Sequence, residues 1–421
     1  MKVGIIGSGG REHAICELIK NSTKIKKIFC FPGNAGTENI AENTDINIEN
    51  FDLFKKFIKK NNIDIIIVGP EKPLVNGIVD FLEKNEIKVF GPNKFASRLE
   101  GSKIFTKKLC EDNNIPTAKF GIFENIERSL EFINQSALPV VIKADGLAAG
   151  KGVYISQTKK EAEKAIYEIF NGKFGDSKTI LIEEFLKGEE MSFFIISDGK
   201  NFKKFGTAQD HKRVGEGDTG LNTGGMGAYS PSRLESDSLD KKIMNKIIKP
   251  TLSALQKEGI SFKGFLYAGL MIVKNEPYLI EYNVRMGDPE CQTILPRLKT
   301  DFFEIILSAI NEKLNTISID WHDSKSLSIV LCSKGYPEKY QNNKEIKNLS
   351  DIELSEDQFI FHAGTKKINN KIHSNGGRVL NIVVRSNNFQ DCRHKALNLI
   401  KKINWEDGFF RKDIGHKVIT S

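Results

Sequence analysis

The stretch VIKADGLAAGKGV, residues 141–153, places a lysine, Lys143, on a β-branched run and follows it with a glycine-rich loop. The loop glycines are Gly146, Gly150 and Gly152. A P-loop would need one more residue between the first glycine and the Gly-Lys pair, and Ser or Thr in place of the last glycine. The pattern therefore favours a mobile flap between two strands that folds over a triphosphate, with Lys143 as a fixed cation beside it. A purely structural turn is the alternative.

Upstream of this stretch, the first hundred residues alternate short β-rich runs with helical patterns. The runs are KVGIIG, KKIFCF, DIIIVGP and IKVFGP, and the helical patterns include Glu12 to Lys20 and Leu74 to Glu86. Such alternation predicts right-handed crossovers and a parallel sheet. The loops GSGG, FPGNAG, GPEKP and GPN would then meet at the carboxyl edge of the strands, where such sheets bind ligands. We assign residues 1–100 to this domain.

Downstream, over residues 101–325, the sequence pattern changes to that of a mixed α+β unit. A helical stretch from Thr158 to Phe170 is followed by a hairpin that turns at Asp198-Gly199 and by a second hairpin in LYAGLMIVKNEPYLIEYNV. Residues 326–421 return to β-rich segments with a final helix around Gln390 to Lys402, which predicts a small C-terminal α/β domain. A chain of 421 residues is longer than a single hydrophobic core usually supports, so an α/β and α+β multidomain protein is expected.

The composition excludes several classes of protein. Hydrophobic residues at 39% and charged residues at 28% are typical of a folded globular chain. The net charge of +8 comes from dispersed lysines without clustered aromatics, so nucleic acid is not expected as a partner. No stretch has membrane-spanning length, and the six cysteines lack zinc or disulfide spacing, so we expect a cytoplasmic protein without membrane contact. A monomer is expected, with a homodimer as the alternative.

The turn of residues 7–13, GSGGREH, follows a strand and opens a helix, so its amides could hold a phosphate. The candidate contacts there are Gly9, Gly10, Arg11 and Glu12. A dinucleotide fingerprint would need glycine where Glu12 stands, which disfavours an NAD-dependent oxidoreductase. A tight turn without a ligand and a nucleotide-sensing protein without turnover remain alternatives.

Polar residues two apart on a β-like segment suggest a metal site. Glu281 and Asn283 share one face of their strand and can offer oxygen ligands to Mg²⁺ or Mn²⁺ that bridges ATP phosphates. A satisfied polar pair at a strand edge is the alternative.

The segment RMGDPE follows directly, at residues 285–290. Arg285 suits a carboxylate or a transferring phosphoryl group, and Asp288 suits an ammonium group. Glycine carries both a carboxylate and an ammonium.

Several of these segments, in this order, resemble the glycinamide ribonucleotide synthetase family of the ATP-grasp superfamily. They are GSGGREHA, the flap, IEEFLKGEE at 182–190, QDHKR at 209–213, NTGGMGAYSP at 222–231, RMGDPE and FRKDIGH at 410–416. The likeness covers essentially the whole chain. Leu221 departs from it, because the family usually has proline there. QDHKR and NTGGMGAYSP are expected to be loops.

The resemblance implies an ATP-grasp fold in which a subdomain of about residues 118–188 covers the nucleotide. It implies ATP contacts through Lys103, Lys143, Gly150, Lys151, Gly152, Glu183, Phe185, Leu186 and Glu190. Glu183, Phe185 and Leu186 would line the adenine pocket through backbone and apolar contacts, and Glu190 would bind the ribose hydroxyls. Substrate contacts would come from Gly9, Gly10, Arg11, Glu12, Glu71, Asp210, Thr223, Gly224, Gly225 and Met226, with the backbone of Thr223 to Gly225 around a sugar phosphate.

The implied reaction joins glycine to 5-phosphoribosylamine with ATP through glycyl phosphate, in purine biosynthesis. Lys143, Arg285 and Asp288 would be catalytic, and the partners would be small molecules only. An ATP-grasp ligase with a different carboxylate and amine is the alternative.

Overall fold

The structure, a computed structural model, describes residues 1–147, 152–175 and 179–419. None of the helices in these ranges is long and apolar enough to cross a membrane.

The N-terminal region is the parallel sheet that the alternating pattern predicts. Its elements are β1 Lys2–Gly7, α1 Gly10–Ile19, β2 Lys27–Pro32, β3 Glu42–Asn43, α2 Phe51–Asn61, β4 Ile65–Val68, α3 Glu71–Asn76, α4 Ile78–Lys84 and β5 Lys88–Phe90. The strands pair in the order β3-β2-β1-β4-β5, all parallel. The helix predicted from Leu74 to Glu86 is in fact two, because Gly77 adopts φ +89° and ends α3.

The second region is a small antiparallel sheet covered by two helices. Its elements are α5 Arg98–Gly101, α6 Lys103–Asp112, β6 Phe120–Phe123, α7 Ile126–Gln135, β7 Val140–Ala144, β8 Val153–Ser156, α8 Lys159–Phe170 and β9 Ile180–Glu184. The strands pair in the order β6-β9-β7-β8. Ile142, Ile166 and Ile182 lie in an apolar core that belongs to this sheet and its helices. We call β6 to β9 with α7 and α8 the lid.

The central region carries the two predicted hairpins. Its elements are β10 Glu189–Asp198, β11 Phe202–Asp210, β12 Arg213–Gly215, β13 Thr219–Asn222, β14 Gly227–Ser230, α9 Asp237–Ile243, a π-helical turn Met244–Ile248, α10 Lys249–Lys257, β15 Lys263–Val273, β16 Glu276–Asn283, α11 Glu290–Ile294 and α12 Phe302–Ile310. β10 pairs with β11, and β15 with β16, both antiparallel. Both hairpin predictions are confirmed.

The C-terminal region continues the central sheet. Its elements are β17 Lys325–Ser333, β18 Glu345–Ile346, β19 Gln358–His362, β20 Thr365–Ile368, β21 Lys371–Ser374, β22 Arg378–Ser386, α13 Phe389–Ile400, β23 Gly408–Phe409 and α14 His416–Ile419. One nine-stranded sheet runs in the order β16-β15-β10-β11-β14-β17-β22-β19, with β23 paired to β17. The two regions therefore share backbone hydrogen bonds between β14 and β17.

The expectation that QDHKR and NTGGMGAYSP are loops is wrong in part. Gln209 and Asp210 end β11 and pair with Tyr229 and Ala228 of β14. Both segments contain strand residues because β11 and β14 are neighbours in the central sheet, and β14 pairs in turn with β17. Short-range turn signals such as the glycines of NTGGMG do not report such distant pairing.

The N-terminal and central regions share one apolar core. Phe90 at the end of β5 packs edge-on against Phe265 of β15, with ring centroids 5.3 Å apart. Phe302 of α12 joins the same cluster. This packing fixes the carboxyl edge of the parallel sheet beside the end of β16, where Glu281, Asn283 and Arg285 are located.

Candidate active site

The turn after β1 is built around a buried carboxylate. Glu12 is 2% exposed and accepts a hydrogen bond from the amide of Gly9 (2.7 Å) through Oε2. Its Oε1 lies 2.6 Å from Nε of Arg11. A β-carbon on Gly69, in the loop after β4, would come within 2.2 Å of the same Oε1. Glu12 therefore fills the space between two sheet-edge loops, which only glycine at position 69 permits.

Two of the amides predicted to hold a phosphate at this turn donate to carboxylates of the protein. Gly9 donates to Glu12, and the amide of Arg11 donates to Oδ2 of Asp288 at 3.3 Å. Gly10 begins α1. A carboxylate thus lies at the start of α1, as the positive end of the helix dipole favours. In this structure two amides of the turn thus donate to carboxylates, and the phosphate site stays a prediction.

Arg285 joins the loop after β16 to two carboxylates. Its Nε lies 3.3 Å from Oε2 of Glu71 and its Nη2 lies 2.5 Å from Oε1 of Glu100. Burial opposes ionisation of Glu71, but the cations of Arg285 and Arg11 outweigh it and lower its pKa. Burial prevails for Glu100 and raises its pKa. The sequence assigned both Arg285 and Glu71 to the site, and the structure brings the two side chains together as an ion pair.

Asp288 lies where three regions of the chain meet. It forms an ion pair with Nη1 of Arg378 (3.1 Å) and accepts a hydrogen bond from Nε2 of Gln292 (2.9 Å). Burial opposes its ionisation, but Arg378 and Arg11 outweigh it and lower the pKa of Asp288. Arg378, at the first residue of β22, also donates to the carbonyl of Gly224 at 2.5 Å.

Sequence reasoning missed Arg378, because an arginine that opens a strand carries no pattern of its own. The only signal was the preceding glycine pair in GGRVLNIVVRS. Its role comes from contacts to Gly224 and Asp288, which lie 154 and 90 positions away in the chain, and no local spacing reveals them.

The backbone around NTGG is also occupied by protein partners. The amide of Thr223 donates to the carbonyl of Lys212 (2.8 Å), that of Gly224 to the hydroxyl of Tyr336 (2.9 Å), and that of Gly225 to Oγ1 of Thr223 (2.9 Å). The amide of Met226 donates to the carbonyl of His211 at 2.8 Å. The amides that the resemblance assigns to a sugar phosphate therefore donate to protein groups in this structure.

On the opposite side of the site, two lysines approach the start of the flap. Lys143 on β7 lies 2.9 Å from Oε1 of Glu183 and 3.5 Å from the carbonyl of Ile280. Lys103, the first residue of α6, donates to the carbonyl of Gly146 at 2.8 Å. Burial lowers the pKa of Lys103, while Glu281 opposes that change. The structure brings both predicted phosphate lysines together.

The flap itself is only partly described. Gly150 and Lys151, predicted to contact the triphosphate, lie outside the described residues, whereas Gly152 is buried at the start of the returning strand. Gly152 accepts a hydrogen bond from the amide of Ala144 at 2.9 Å. Asp145, which follows β7 at the start of the flap, accepts a hydrogen bond from the amide of Ile104 at 3.2 Å.

The segment after β9 connects the lid to the central sheet. Phe185 is 38% exposed, and Leu186 is half-buried beside it. Glu190, the second residue of β10, is exposed, and its Oε2 lies 2.6 Å from Nζ of Lys212. These are the residues that the resemblance assigns to adenine and ribose. They lie in or beside the segment that joins β9 of the lid to β10 of the central sheet.

Glu281 and Asn283 lie on one face of β16, opposite Gly269 and Tyr267 of β15. The residue directly opposite Glu281 is a glycine, which places no side chain beside it. Within the part of the chain that the structure describes, Glu281 has no ion pair within 4.0 Å, although Lys103 and Lys212 feel its charge. A carboxylate and an amide oxygen next to the phosphate lysines fit the donor set that Mg²⁺ prefers.

A second acidic group near the site was also missed. Glu290, at the start of α11, is 4% exposed and accepts a weak hydrogen bond from Oγ of Ser192 at 3.4 Å. Asp210 is close enough to feel its charge. Burial raises the pKa of Asp210 to about 7; Glu290 and Glu190 add to this, and Lys212 opposes it. The sequence had flagged the RMGDPE segment but only its arginine and aspartate.

Comparison with solved structures gives the class of the protein. The chain superimposes on the biotin carboxylase domain of a 2-oxoglutarate carboxylase from Hydrogenobacter thermophilus with a TM-score of 0.75, at 15% identity, over 97% of this chain and 91% of that one. At that identity the likeness shows the fold alone. The family model of an ATP-grasp domain matches residues 101–291, so the fold is that of an ATP-grasp protein.

The family follows from closer relatives. That ATP-grasp model is the A domain of phosphoribosylglycinamide synthetase, and the N and C domain models of the same family match residues 1–100 and 326–417. The chain belongs to the phosphoribosylglycinamide synthetase family.

Individual relatives agree with this assignment. Phosphoribosylamine–glycine ligases of Agrobacterium fabrum and Brucella melitensis are 46% and 43% identical over all of this chain and 99% and 98% of theirs. The crystal structure of the phosphoribosylamine–glycine ligase of Thermotoga maritima superimposes with a TM-score of 0.86 at 34% identity, over 98% of this chain and 100% of that one.

Proposed function

We propose that this protein ligates glycine to 5-phosphoribosylamine with ATP, giving glycinamide ribonucleotide, ADP and phosphate in purine biosynthesis. The observation that carries the proposal is full-length identity of 43–46% to relatives named for this reaction. The arrangement of the site supports it, because Lys103, Lys143, Glu281 and Asn283 lie together beside the arginine and aspartate of RMGDPE.

The nucleotide would lie between the lid and the central sheet. Glu183, Phe185 and Leu186 would contact adenine, Glu190 would take the ribose hydroxyls, and Lys103 and Lys143 would meet the phosphates. The lid has its own apolar core, which suits a unit that moves as one body about the segment after β9. We propose that Gly150, Lys151 and Gly152 cover the triphosphate when the lid closes.

Glu281 and Asn283 would hold Mg²⁺ or Mn²⁺ between their oxygens and the phosphates. When bound, the ion would offset charge on the transferred phosphoryl group. Glycine at position 269 leaves room on the neighbouring strand.

The chemistry needs no nucleophile from the protein. An oxygen of the glycine carboxylate attacks the γ-phosphorus of ATP, a new oxygen–phosphorus bond forms, and ADP leaves. The amine of phosphoribosylamine then attacks the carbonyl carbon of glycyl phosphate and expels phosphate. The protein orients these groups and excludes water, which is the work of cations and a closing lid.

Arg285 and Asp288 would act on glycine and its phosphate. Arg285 offers a guanidinium fork that matches two oxygens of a carboxylate or phosphoryl group, and Asp288 offers a negative charge to the ammonium. Arg285 is paired with Glu71 and Asp288 is paired with Arg378 in this structure. A bound substrate would therefore replace part of these contacts with its own hydrogen bonds. Fixed ion pairs of this kind hold the groups in position before substrate arrives.

The sugar phosphate of the amine substrate would enter the crevice bounded by the first turn, Glu71 and the NTGG segment. The assigned contacts are Gly9, Gly10, Arg11, Glu12, Glu71, Asp210, Thr223, Gly224, Gly225 and Met226. Several of their amides would change partner on binding, because the structure pairs them internally.

The test measures ADP release and product mass with purified protein, ATP, Mg²⁺, glycine and freshly prepared 5-phosphoribosylamine. We expect ADP and glycinamide ribonucleotide in equal amounts, and neither when glycine is replaced by alanine or the amine is omitted. Turnover with another carboxylate or amine, but not with this pair, would overturn the assignment and leave the alternative ligase. A change in nicotinamide absorbance would point to an oxidoreductase.

A further inference from the structure

Beneath the nucleotide side of the site, three buried charges form a closed cluster. Oε1 of Glu183 lies 2.9 Å from Nζ of Lys143 and 3.3 Å from Nζ of Lys107. The three residues are 2–4% exposed. One carboxylate oxygen is therefore shared by two ammonium groups that have little access to water.

Lys107 is held from a second direction. It lies one turn after Lys103 on α6, and its Nζ donates to Oγ1 of Thr117 at 2.5 Å. The hydroxyl of Thr117 donates in turn to the carbonyl of Leu279 on β16, at 2.6 Å. This chain of contacts ties the lid strand that carries Glu183 to the strand that carries Glu281.

The charge balance of the cluster decides what Lys143 can do. With both lysines present, one carboxylate faces two cations and one positive charge is left over. Without Lys107, Glu183 would neutralise Lys143 alone, and a neutral buried pair attracts a polyphosphate far less. Burial lowers the pKa of Lys107 and the charge of Lys143 adds to this, while Glu183 opposes it, so the two ammonium groups feel each other.

We propose that Lys107 is a positioning residue for ATP. By sharing the carboxylate of Glu183 with Lys143, Lys107 leaves the positive charge of Lys143 available to the phosphates. The inference rests on the proposed function only in taking ATP as the ligand of Lys143. Lys107 itself need not touch the nucleotide, since its Nζ is already between Glu183 and Thr117.

The test is equilibrium binding of ATP with Mg²⁺, by calorimetry, in the absence of glycine and amine. Lys107→Met should weaken ATP binding about tenfold or more. Adding Glu183→Gln to it restores a net charge of one on the cluster and should return the affinity to within about threefold of the parent protein. The adenine contact assigned to Glu183 uses backbone and survives this change. Lys108→Met, at the exposed neighbouring position, is the matched control and should change nothing.

Rescue by the second substitution separates charge balance from a merely structural role, because removing two buried groups would otherwise harm the site further. Unchanged ATP affinity in Lys107→Met would overturn the proposal, as would a double variant that binds no better than Lys107→Met. Should Lys107→Met not fold, Lys107→Arg and the double variant take its place. Both should bind ATP nearly as the parent does, and weak binding by either would overturn the proposal.

These outcomes are independent of the substrate assignment. Wild-type protein that binds ATP but makes no product with glycine would refute the proposed function and leave the role of Lys107 open to the same binding test. Wild-type protein that makes glycinamide ribonucleotide, with ATP affinity unaffected by Lys107→Met, would refute only the role of Lys107.

Discussion

The two sides of the site hold their charges in different ways. Around RMGDPE, charged groups pair with one another across regions of the chain, as Arg285 does with Glu71 and Glu100 and Asp288 does with Arg378. On the nucleotide side, Lys103 donates to a flap carbonyl and has no carboxylate within 4.0 Å among the described residues, while Lys143 and Lys107 share the one carboxylate of Glu183. The first side is locked by ion pairs before substrate binds, and the second is left with cations for an anion to meet.

This difference separates two kinds of catalytic contribution. Ion pairs that cross regions fix geometry, and their loss should appear in the rate of a step that demands orientation. The lysines of the nucleotide side outnumber the carboxylate that they share, so they contribute net positive charge, and their loss should appear in nucleotide binding and phosphoryl transfer. Substitutions on each side should therefore affect different measured quantities.

Removing the fixed cation should have the largest effect. We expect Lys143→Ala to lower kcat/KM for ATP by about 10²- to 10³-fold, because no other group reaches the phosphates from that strand. Steady-state ADP release measures this. Lys160→Ala, an exposed lysine of the lid, is the control. A folded Lys143→Ala protein with near-normal ADP release would place the nucleotide elsewhere.

On the ion-paired side, Arg285→Lys should reduce the maximal rate about 10²-fold while the dissociation constant for ATP changes little. An ammonium keeps the charge but cannot hold Glu71, Glu100 and a substrate oxygen in the geometry of a guanidinium. Rate and ATP affinity are measured separately, with Arg128→Lys on the lid surface as control. If ATP affinity fell as much as the rate, the proposed contrast between the two sides would not hold.

The metal pair should respond more mildly. Glu281→Gln replaces one anionic ligand with a neutral amide, and we expect the Mg²⁺ concentration for half-maximal activity to rise about tenfold. Glu276→Gln, on the same strand but paired with Lys242 and Lys246, should leave the titration unchanged. Superimposable Mg²⁺ titrations for Glu281→Gln and the parent would remove Glu281 from the metal site.

The smallest expected effect concerns stability and pH. The folded pKa of Asp210 is raised to about 7, above its value in the unfolded chain, so the protonated carboxyl favours the fold. Its contribution is complete below about pH 4 and is lost as the pH rises to about 7. Urea unfolding at pH 5 and pH 6 should show that Asp210→Asn removes about 1 kcal/mol of this fall in the free energy of unfolding, because each pH unit between the two pKa values is worth about 1.4 kcal/mol. An identical pH dependence in both proteins would contradict it.

Local patterns predicted much of the fold and only part of the site. The parallel sheet and both hairpins follow from periodicity and turn motifs that act over short distances, and Lys103 was named as a phosphate lysine only through the family resemblance. The split at Gly77 depends on backbone conformation, and the strands within QDHKR and NTGGMG depend on pairing of β11 with β14, of β12 with β13 and of β14 with β17, which lies about a hundred residues further along the chain.

The missed residues share one cause. Lys107 and Arg378 have no distinctive spacing, Glu290 stands in a recognised motif without a signal of its own, and each gains its role from groups far along the chain. Likewise, the occupied amides of NTGG depend on Tyr336, which no turn signal indicates. Charge compensation is a property of the folded neighbourhood, and a one-dimensional pattern contains it only where the partners are adjacent.

The pairing of β14 with β17 also bears on how the gene can be cut. A fragment that stops before β17 would expose the edge of β14, and one that starts at β17 would expose the complementary edge beside a strand of buried apolar residues. Open edges of this kind recruit other chains, so separately produced halves should precipitate or capture each other. Co-expression of the two halves is then a better route to labelled segments than purification of either one alone.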